Sequence, residues 1–510
     1  MTRLPLMTDL SGTELTPDER AFLSERRVAG ICLFARNVAD RYRLADYLAE
    51  VRRLAGEDLI VAVDQEGGGV LRLLDVPFPP PAMALGAADD VGLTEEVAAA
   101  TGRALAAVGI NLDFAPVADV NSNPANPVIG DRSFGADPAL AARHVAAFVR
   151  GLQSAGVGAT LKHFPGHGDT STDSHLALPV VDRSLEELRT TEFVPFRAGV
   201  AAGAAAVMSA HIVLPRLDPG LPATLSRRAM YGLLRQELDF EGVSVTDALD
   251  MRAIAERYDA GTAAVMALQA GVDLPLTLGP VDEHRRVLQK VEGALASGEL
   301  SGTGLAEARA RLARFALEFP ALPTGGRMDE GVEAADRAVM ARATKTGLVT
   351  LGRLPRLGPG TRVAFLSSGE VRASAASQVS AKPADELVAE LLRRGVDVSR
   401  LELAPGETSD PTPWLGGMSP LPQVVLYAST SRTRLASAEA ATARRAAAWA
   451  RHTGVPYAHV ALWNPYSAEL LPGPALLAFG YRGSAAAAVA DALMGEATVG
   501  TLPAPISSLA

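Results

Sequence analysis

One cysteine, Cys32, is all that the 510-residue chain contains, so no disulfide can form within it. It sits in the apolar run Ala29-Gly30-Ile31-Cys32-Leu33-Phe34 and reads as a small buried residue rather than a reactive thiol. Aromatic residues are scarce at 5%, although 48% of the chain is hydrophobic, so the core has to be assembled from Ala, Leu and Val. No stretch reaches the roughly 20 apolar residues of a membrane span. The opening Met1-Thr2-Arg3-Leu4-Pro5-Leu6-Met7 soon meets Asp9, too short an apolar run for a signal peptide. A soluble, cytoplasmic protein with no membrane partner is expected. Positive charge is in deficit as well. The formal net charge is −10, and an acidic surface argues against nucleic acid, which needs a basic face.

Glycine and proline are plentiful, at 47 and 34 residues, as the many tight turns of an alternating βα fold require. Short Val-, Ile- and Leu-rich runs near residues 4–8, 29–34, 59–63, 110–114, 157–161, 205–208, 243–245 and 272–274 read as strands. They lack strict alternation, as parallel strands buried on both faces do. Amphipathic stretches such as 41–54 and 184–198 lie between them. This rhythm predicts an α/β fold with a TIM-type (β/α) barrel over residues 1–320. An open doubly wound sheet stays as the alternative, since periodicity alone does not report closure. The Pro- and Gly-rich segment from Phe319 to Gly326 marks a connector. Residues 321–346 read as a linker and connecting helix. The βα rhythm then resumes, with strands near 363–366, 424–427, 457–462 and 475–479. That predicts a second domain over 347–510, an αβα sandwich.

Chemically rich residues follow the barrel strands. Asp64 follows Ile60-Val61-Ala62-Val63, Lys162 and His163 follow Thr160-Leu161, His211 follows Val207-Met208-Ser209-Ala210, and Asp247 follows Val243-Ser244-Val245-Thr246. In a barrel these positions share one face, at the C-terminal ends of the strands, where such folds build their sites. The densest segment is Lys162-His163-Phe164-Pro165-Gly166-His167-Gly168-Asp169-Thr170, continuing to Asp173-Ser174-His175. His163 and His167 have the spacing of a helical zinc pair, but Pro165 and Gly166 between them disfavour a helix. A strand-end carboxylate such as Asp247 can attack an anomeric carbon with defined geometry. Its bland alternative is a helix N-cap. Asp250 is expected in the first turn of the following helix.

The segments Asp64-Gln65-Glu66-Gly67-Gly68, Gly130-Asp131-Arg132-Ser133-Phe134-Gly135, Lys162 to Gly168 with Asp173-Ser174-His175, and Thr246 to Met251 occur in that order. Together they make the chain resemble glycoside hydrolase family 3, in its bacterial β-N-acetylglucosaminidase branch. The resemblance covers most of residues 1–320 and, less specifically, the second domain. It implies a retaining exo-acting β-N-acetylhexosaminidase. The substrate would be a terminal, non-reducing β-N-acetylglucosaminide, such as a muropeptide-derived fragment in cell-wall recycling. It implies Asp247 as nucleophile, His175 as acid/base and Asp173 as the partner of His175. It also implies Asp64, Arg72, Arg132, Lys162 and His163 as sugar-binding residues, with no cofactor and no metal. One position departs from the pattern. Gly69 stands where the family usually has Arg, a change expected to touch loop anchoring more than sugar contact.

These residue types suit the reaction. Retaining hydrolysis needs a nucleophile and a proton donor that later serves as base. An imidazole has an unperturbed pKa of about 6.5, close to working pH. Asp173 could fix its tautomer, as the aspartate does in a Ser-His-Asp triad. Lys162 and Arg132 only donate hydrogen bonds, which fits hydroxyl oxygens. The polar run after Gly168 suggests a lid that brings His175 over bound sugar. A β-glucosidase or xylosidase, a phosphorylase and a non-catalytic sugar-binding protein are the alternatives. The first and last fit the Asp173, His175 and Asp247 set less well, and the second stays open.

Overall fold

The computed structural model describes residues 3–172, 177–369, 371–374, 377–404, 408–433 and 435–506, with 371–374 and 377–381 described by backbone alone. Its first seven-stranded sheet runs in chain order through Leu4–Asp9, Val28–Leu33, Ile60–Val63, Leu112–Asp113, Gly158–Phe164, Ala206–Ser209 and Val243–Thr246, all parallel. Residues 274–276 close it. Leu274 bridges to Val245 on the seventh strand, and Leu276 bridges to Met7 on the first. The sheet is a barrel, not the open alternative. The expected eighth strand is reduced to these bridges because Pro275 has no N–H to give; its carbonyl accepts from Met7 at 2.9 Å.

Side chains alternate across the barrel wall. Ile60 and Ala62 join Met7, Cys32, Leu112, Phe114, Met208 and Val245 in the interior cluster, while Val61 and Val63 pack with the surrounding helices. Burial of Cys32 agrees with expectation and pushes its thiol well above the ordinary range. Helix Arg41–Ala55 begins where Asp40 accepts from the amides of Tyr42 and Arg43. Helices Val91–Val108 and Pro138–Ser154 approach at backbone distance. A Cβ on Gly151 would lie 2.2 Å from the carbonyl oxygen of Glu95, and one on Gly102 would lie 2.8 Å from that of Leu152. The single helix expected over 184–198 is two, Leu185–Thr190 and Phe193–Ala201. Pro195 explains the break. It cannot donate to the carbonyl of Thr191, four residues back, and its ring would clash there.

Helix Glu330–Thr346 follows the connector and lies against the barrel. Arg41 donates to Glu333 at 2.8 Å, and Arg103 donates to Asp336 at 3.1 Å. The second sheet has six strands in the order Val349–Leu351, Ala475–Leu477, Tyr457–Ala461, Val424–Ser429, Arg362–Ser368 and Asp397–Leu403. Only the first pair is antiparallel. Val363 and Phe365 pack in one cluster with helices Pro383–Arg393 and Ala485–Leu493, whereas Ala364 and Leu366 pack in another with helix Ser437–Thr453. A sheet covered on both faces in this way is the expected αβα sandwich. Val349–Leu351 and Asp397–Leu403 are strands beyond those expected, one at each edge. Asp397-Val398-Ser399-Arg400-Leu401-Glu402-Leu403 lacks the continuous apolar run of a buried parallel strand. Among the described residues no helix is long and apolar enough to cross a membrane.

The close helix contact is directly testable. Gly151→Ala should destabilise by about 1–3 kcal/mol, because backbone has to give way. Gly293→Ala, where a Cβ meets nothing within 4 Å, should be neutral or stabilising. Thermal midpoints measured side by side decide it, and equal effects would contradict the packing described.

Candidate active site

A cavity of about 460 Å³ opens at the C-terminal ends of the barrel strands. Asp64, Arg72, Arg132, Lys162, His163 and Asp247 all line it. Asp173 and His175 lie outside the described residues. Of the polar run expected to form a lid, 169–172 are described, and the run starts anchored: Arg183 donates to Asp169 at 2.8 Å, and Thr170 is buried with its Oγ 2.7 Å from His167 Nδ1. Phe34, Phe114, Met208, Leu276 and Leu278 supply apolar wall. The lining therefore combines apolar surface with a few convergent polar groups, as small-molecule sites do.

Charge is arranged along a chain. Strand Gly158–Phe164 runs three residues past its expected end, so Lys162 and His163 are fixed in the sheet. The Lys162 Nζ donates to Asp64 Oδ1 at 2.7 Å and pairs with Glu66 Oε1 at 2.5 Å. Arg72 donates to the other oxygen of Asp64 at 3.0 Å. Arg132 grips both oxygens of Glu66, each at 2.8 Å. Burial pushes the Asp64 and Glu66 carboxyls up. Lys162 with Arg72, and Arg132 with Lys162, outweigh it and hold both below the usual carboxylate range. Burial likewise disfavours the Lys162 charge, but Asp64 and Glu66 more than compensate. Asp64, Glu66 and Lys162 therefore stay ionised through the neutral range.

Local sequence explains the loop that carries Asp64 and Glu66. The Gln65 side chain accepts from the amides of Arg72 and Leu73 at 2.9 and 3.1 Å and donates to the carbonyl of Leu73 at 2.8 Å, closing the loop like a strand rung. Gly67 takes φ 115°, and a Cβ there would sit 2.3 Å from the carbonyl oxygen of Pro80. Gly69 does not line the cavity. It borders a narrow cleft with Asp131, Arg132, Arg432 and Trp463, where barrel and second domain meet.

Asp119 organises both histidines of the fifth strand end. One carboxylate oxygen accepts from His163 Nδ1 at 2.7 Å, and the other accepts from the backbone amides of His163 and His167, at 3.1 and 2.7 Å. Burial raises this carboxyl, but the His163 charge and hydrogen bond pull it below its ordinary value. His167 is fully enclosed, and burial, with His163 adding to it, lowers its pKa to about 4. Among the described residues no group of three or more His, Cys, Asp or Glu is arranged to hold a metal.

Asp247 stands half-buried just past strand Val243–Thr246, its amide donating to the carbonyl of Ser209 at 3.1 Å. Its Oδ1 accepts from the amide of Ala248 at 2.8 Å. Beneath it, His211 Nε2–H donates to the Ala248 carbonyl at 2.9 Å, which gives His211 a supporting place behind the loop. The next helix, Arg252–Ala255, is preceded by Met251, so Asp247 is not its N-cap. Asp250 likewise precedes that helix and lines the cavity, instead of sitting in the first turn. Sequence reasoning assigned no role to Glu66, Asp119 or His167. Glu66 and His167 lie within the quoted motifs, and Asp119 follows the apolar Phe114-Ala115-Pro116-Val117-Ala118, the signal that could have found it.

The model of the glycosyl hydrolase family 3 N-terminal domain matches residues 7–315. The chain belongs to glycoside hydrolase family 3. The β-hexosaminidase of Stenotrophomonas maltophilia (strain R551-3) is 40% identical to it over 321 residues, 60% of this chain and 95% of that protein. A β-hexosaminidase of Pseudomonas aeruginosa (strain LESB58) is 42% identical over 275 residues, 53% of this chain and 81% of that one. The solved family 3 β-N-acetylglucosaminidase from Paenibacillus sp. str. FPU-7 is similar over both domains. It gives a TM-score of 0.90 at 35% identity, covering 99% of this chain and 98% of that one.

Asp113 lies fully buried at the end of the fourth strand, where burial pushes its carboxyl up to about 8 and the charges of Asp64 and Glu66 add to this; the Gln65 amide, 2.9 Å from Oδ1, opposes it. An unfolded aspartate ionises at about pH 3.9. Folding is therefore penalised increasingly from there up to about pH 8, a titration that Asp113→Asn lacks. The thermal midpoint of the variant minus that of the wild type should rise with pH across this window and then level off. A flat or falling difference would contradict the buried, protonated carboxyl.

Proposed function

We propose that the chain is a retaining, exo-acting β-N-acetylhexosaminidase that removes terminal non-reducing β-N-acetylglucosamine residues. What carries this reading is the cavity that gathers Asp247 with Asp64, Arg72, Arg132, Lys162 and His163 at the barrel mouth. Similarity to two β-hexosaminidases and to a β-N-acetylglucosaminidase supports the choice of sugar. In this proposal residues 1–320 are the catalytic barrel, 321–346 the connection and 347–510 the sandwich domain. The physiological substrate is a muropeptide-derived fragment met in the cytoplasm.

Asp64 accepts from sugar hydroxyls, Arg72, Arg132 and Lys162 donate to them, and His163, its Nδ1–H given to Asp119, offers Nε2 as an acceptor. The Asp247 carboxylate attacks the anomeric carbon as the bond to the leaving oxygen breaks, and His175, oriented by Asp173, protonates that oxygen. The resulting glycosyl ester is hydrolysed by water, which gives its proton back to His175. The described carboxylates Asp64 and Glu66 are poor candidates for the proton transfer, because neighbouring cations keep them ionised. Buried His167 is neutral at working pH and has no proton to spare for a leaving group.

Asp247→Ala should lower turnover of p-nitrophenyl β-N-acetylglucosaminide to background while the thermal midpoint holds. Near-normal turnover would refute the nucleophile assignment. His175→Ala should slow alkyl glycosides by about 10²–10⁴-fold and activated aryl glycosides much less. Equal losses on both would exclude the acid role. The wild type should release N-acetylglucosamine and not its 1-phosphate when phosphate is added.

A further inference from the structure

The barrel does not hold its sugar-binding side chains unaided. Strand Tyr457–Ala461 of the second domain is followed by Leu462-Trp463-Asn464-Pro465-Tyr466, and both Trp463 and Tyr466 are buried to within 1% exposure. The Trp463 indole N–H donates to Asp131 Oδ2 at 3.0 Å. Asp131 directly precedes Arg132, which grips Glu66. Tyr466 reaches a different loop, where its phenolic oxygen accepts from Asn121 Nδ2 at 2.6 Å. Asn121 lies two residues past Asp119, the acceptor for His163 and His167.

The two barrel loops are joined to each other as well. Ser133 Oγ donates to the carbonyl of Asp119 at 2.6 Å, and the Asn121 amide donates to that of Gly135 at 2.9 Å. The second-domain segment is itself stiff. Asn464 accepts from the Tyr466 amide at 2.9 Å and donates to the carbonyl of Arg432 at 3.0 Å. Trp463 lies beside the main cavity. The cleft it lines with Asp131 shares Val70, Val128, Ile129 and Arg132 with the main cavity.

We propose that Trp463 and Tyr466 are positioning residues for the active site, a clamp from the second domain that sets Arg132 and His163 by holding the loop beside each. This deepens the functional reading above and rests on it. Each clamp bond is buried, so its loss leaves the Asp131 carboxyl or the Asn121 amide one partner short, next to the loop that carries a sugar-binding residue. The effect should fall on sugar binding and not on the chemical step, since neither side chain touches the reacting atoms.

The test uses the full chain, p-nitrophenyl β-N-acetylglucosaminide as substrate and N-acetylglucosamine as a calorimetric ligand. Tyr466→Phe keeps the ring and loses only the hydrogen bond, whereas Trp463→Phe loses the hydrogen bond together with part of the buried indole, a packing loss for which Phe365→Leu is the control. Each should raise KM and the N-acetylglucosamine Kd about tenfold while kcat changes little. Trp463→Phe should cost nothing further through this bond in an Asp131→Ala background, which removes the acceptor. Phe365→Leu, in the second-domain core away from the clamp, should lower the thermal midpoint without moving KM. The clamp is overturned if the two Phe variants keep wild-type KM and Kd, or if Phe365→Leu raises KM as much as they do. A wild type that neither turns over the glycoside nor binds the sugar would bring down the functional reading, and the clamp with it.

Discussion

Taking an ammonium out of water costs several kcal/mol unless opposite charge compensates it, and Lys162, 2% exposed, is compensated twice, by Asp64 and by Glu66. Each carboxylate is then answered again, Asp64 by Arg72 and Glu66 by Arg132. Charges alternate in sign along this chain from one arginine to the other. No member can be withdrawn without stranding a neighbour, so the strand ends that carry them are held in one arrangement. The same compensation fixes their protonation. The acids stay ionised and the bases stay charged, which suits them to holding hydroxyls and unsuits them to moving protons. On this ground the proposed mechanism gives recognition and proton transfer to different residues.

The family 3 barrel meets this demand through loops that are each fixed by something outside the site. Gln65 closes the Asp64–Glu66 loop upon itself. Asp119 binds the backbone and ring of His163 and the backbone of His167. His211 and Ser209 support the turn at Asp247. The sandwich domain then reaches over with Trp463 and Tyr466. In the account proposed, the second domain contributes to the site by positioning, and none of its described residues lines the main cavity.

Much of this was legible in the sequence where periodicity carries the information. Parallel strands buried on both faces leave apolar runs, and the residue after each run falls on the barrel mouth. Asp64, Lys162 and Asp247 could be grouped on that ground alone. The roles of Asp119 and Trp463 could not. Asp119 acts on His163, 44 residues away, and Trp463 acts on Asp131, 332 residues away, and no local pattern encodes such pairings. The closing strand was blurred by Pro275, and the split of the 184–198 helix followed from Pro195, a residue whose cost depends on the carbonyl four positions back. The edge strand Asp397–Leu403 escaped because one side of it meets water.

The central claim is that the barrel-mouth carboxylate of Asp247 forms a covalent bond to the sugar. A fluorinated N-acetylglucosaminyl donor with a good leaving group forms the ester quickly and releases it slowly. Mass spectrometry of a digest made during this lag should then find the added sugar on the peptide containing Asp247. A label on Asp64, Glu66 or Asp250, or turnover of the reagent with no labelled peptide, would contradict it.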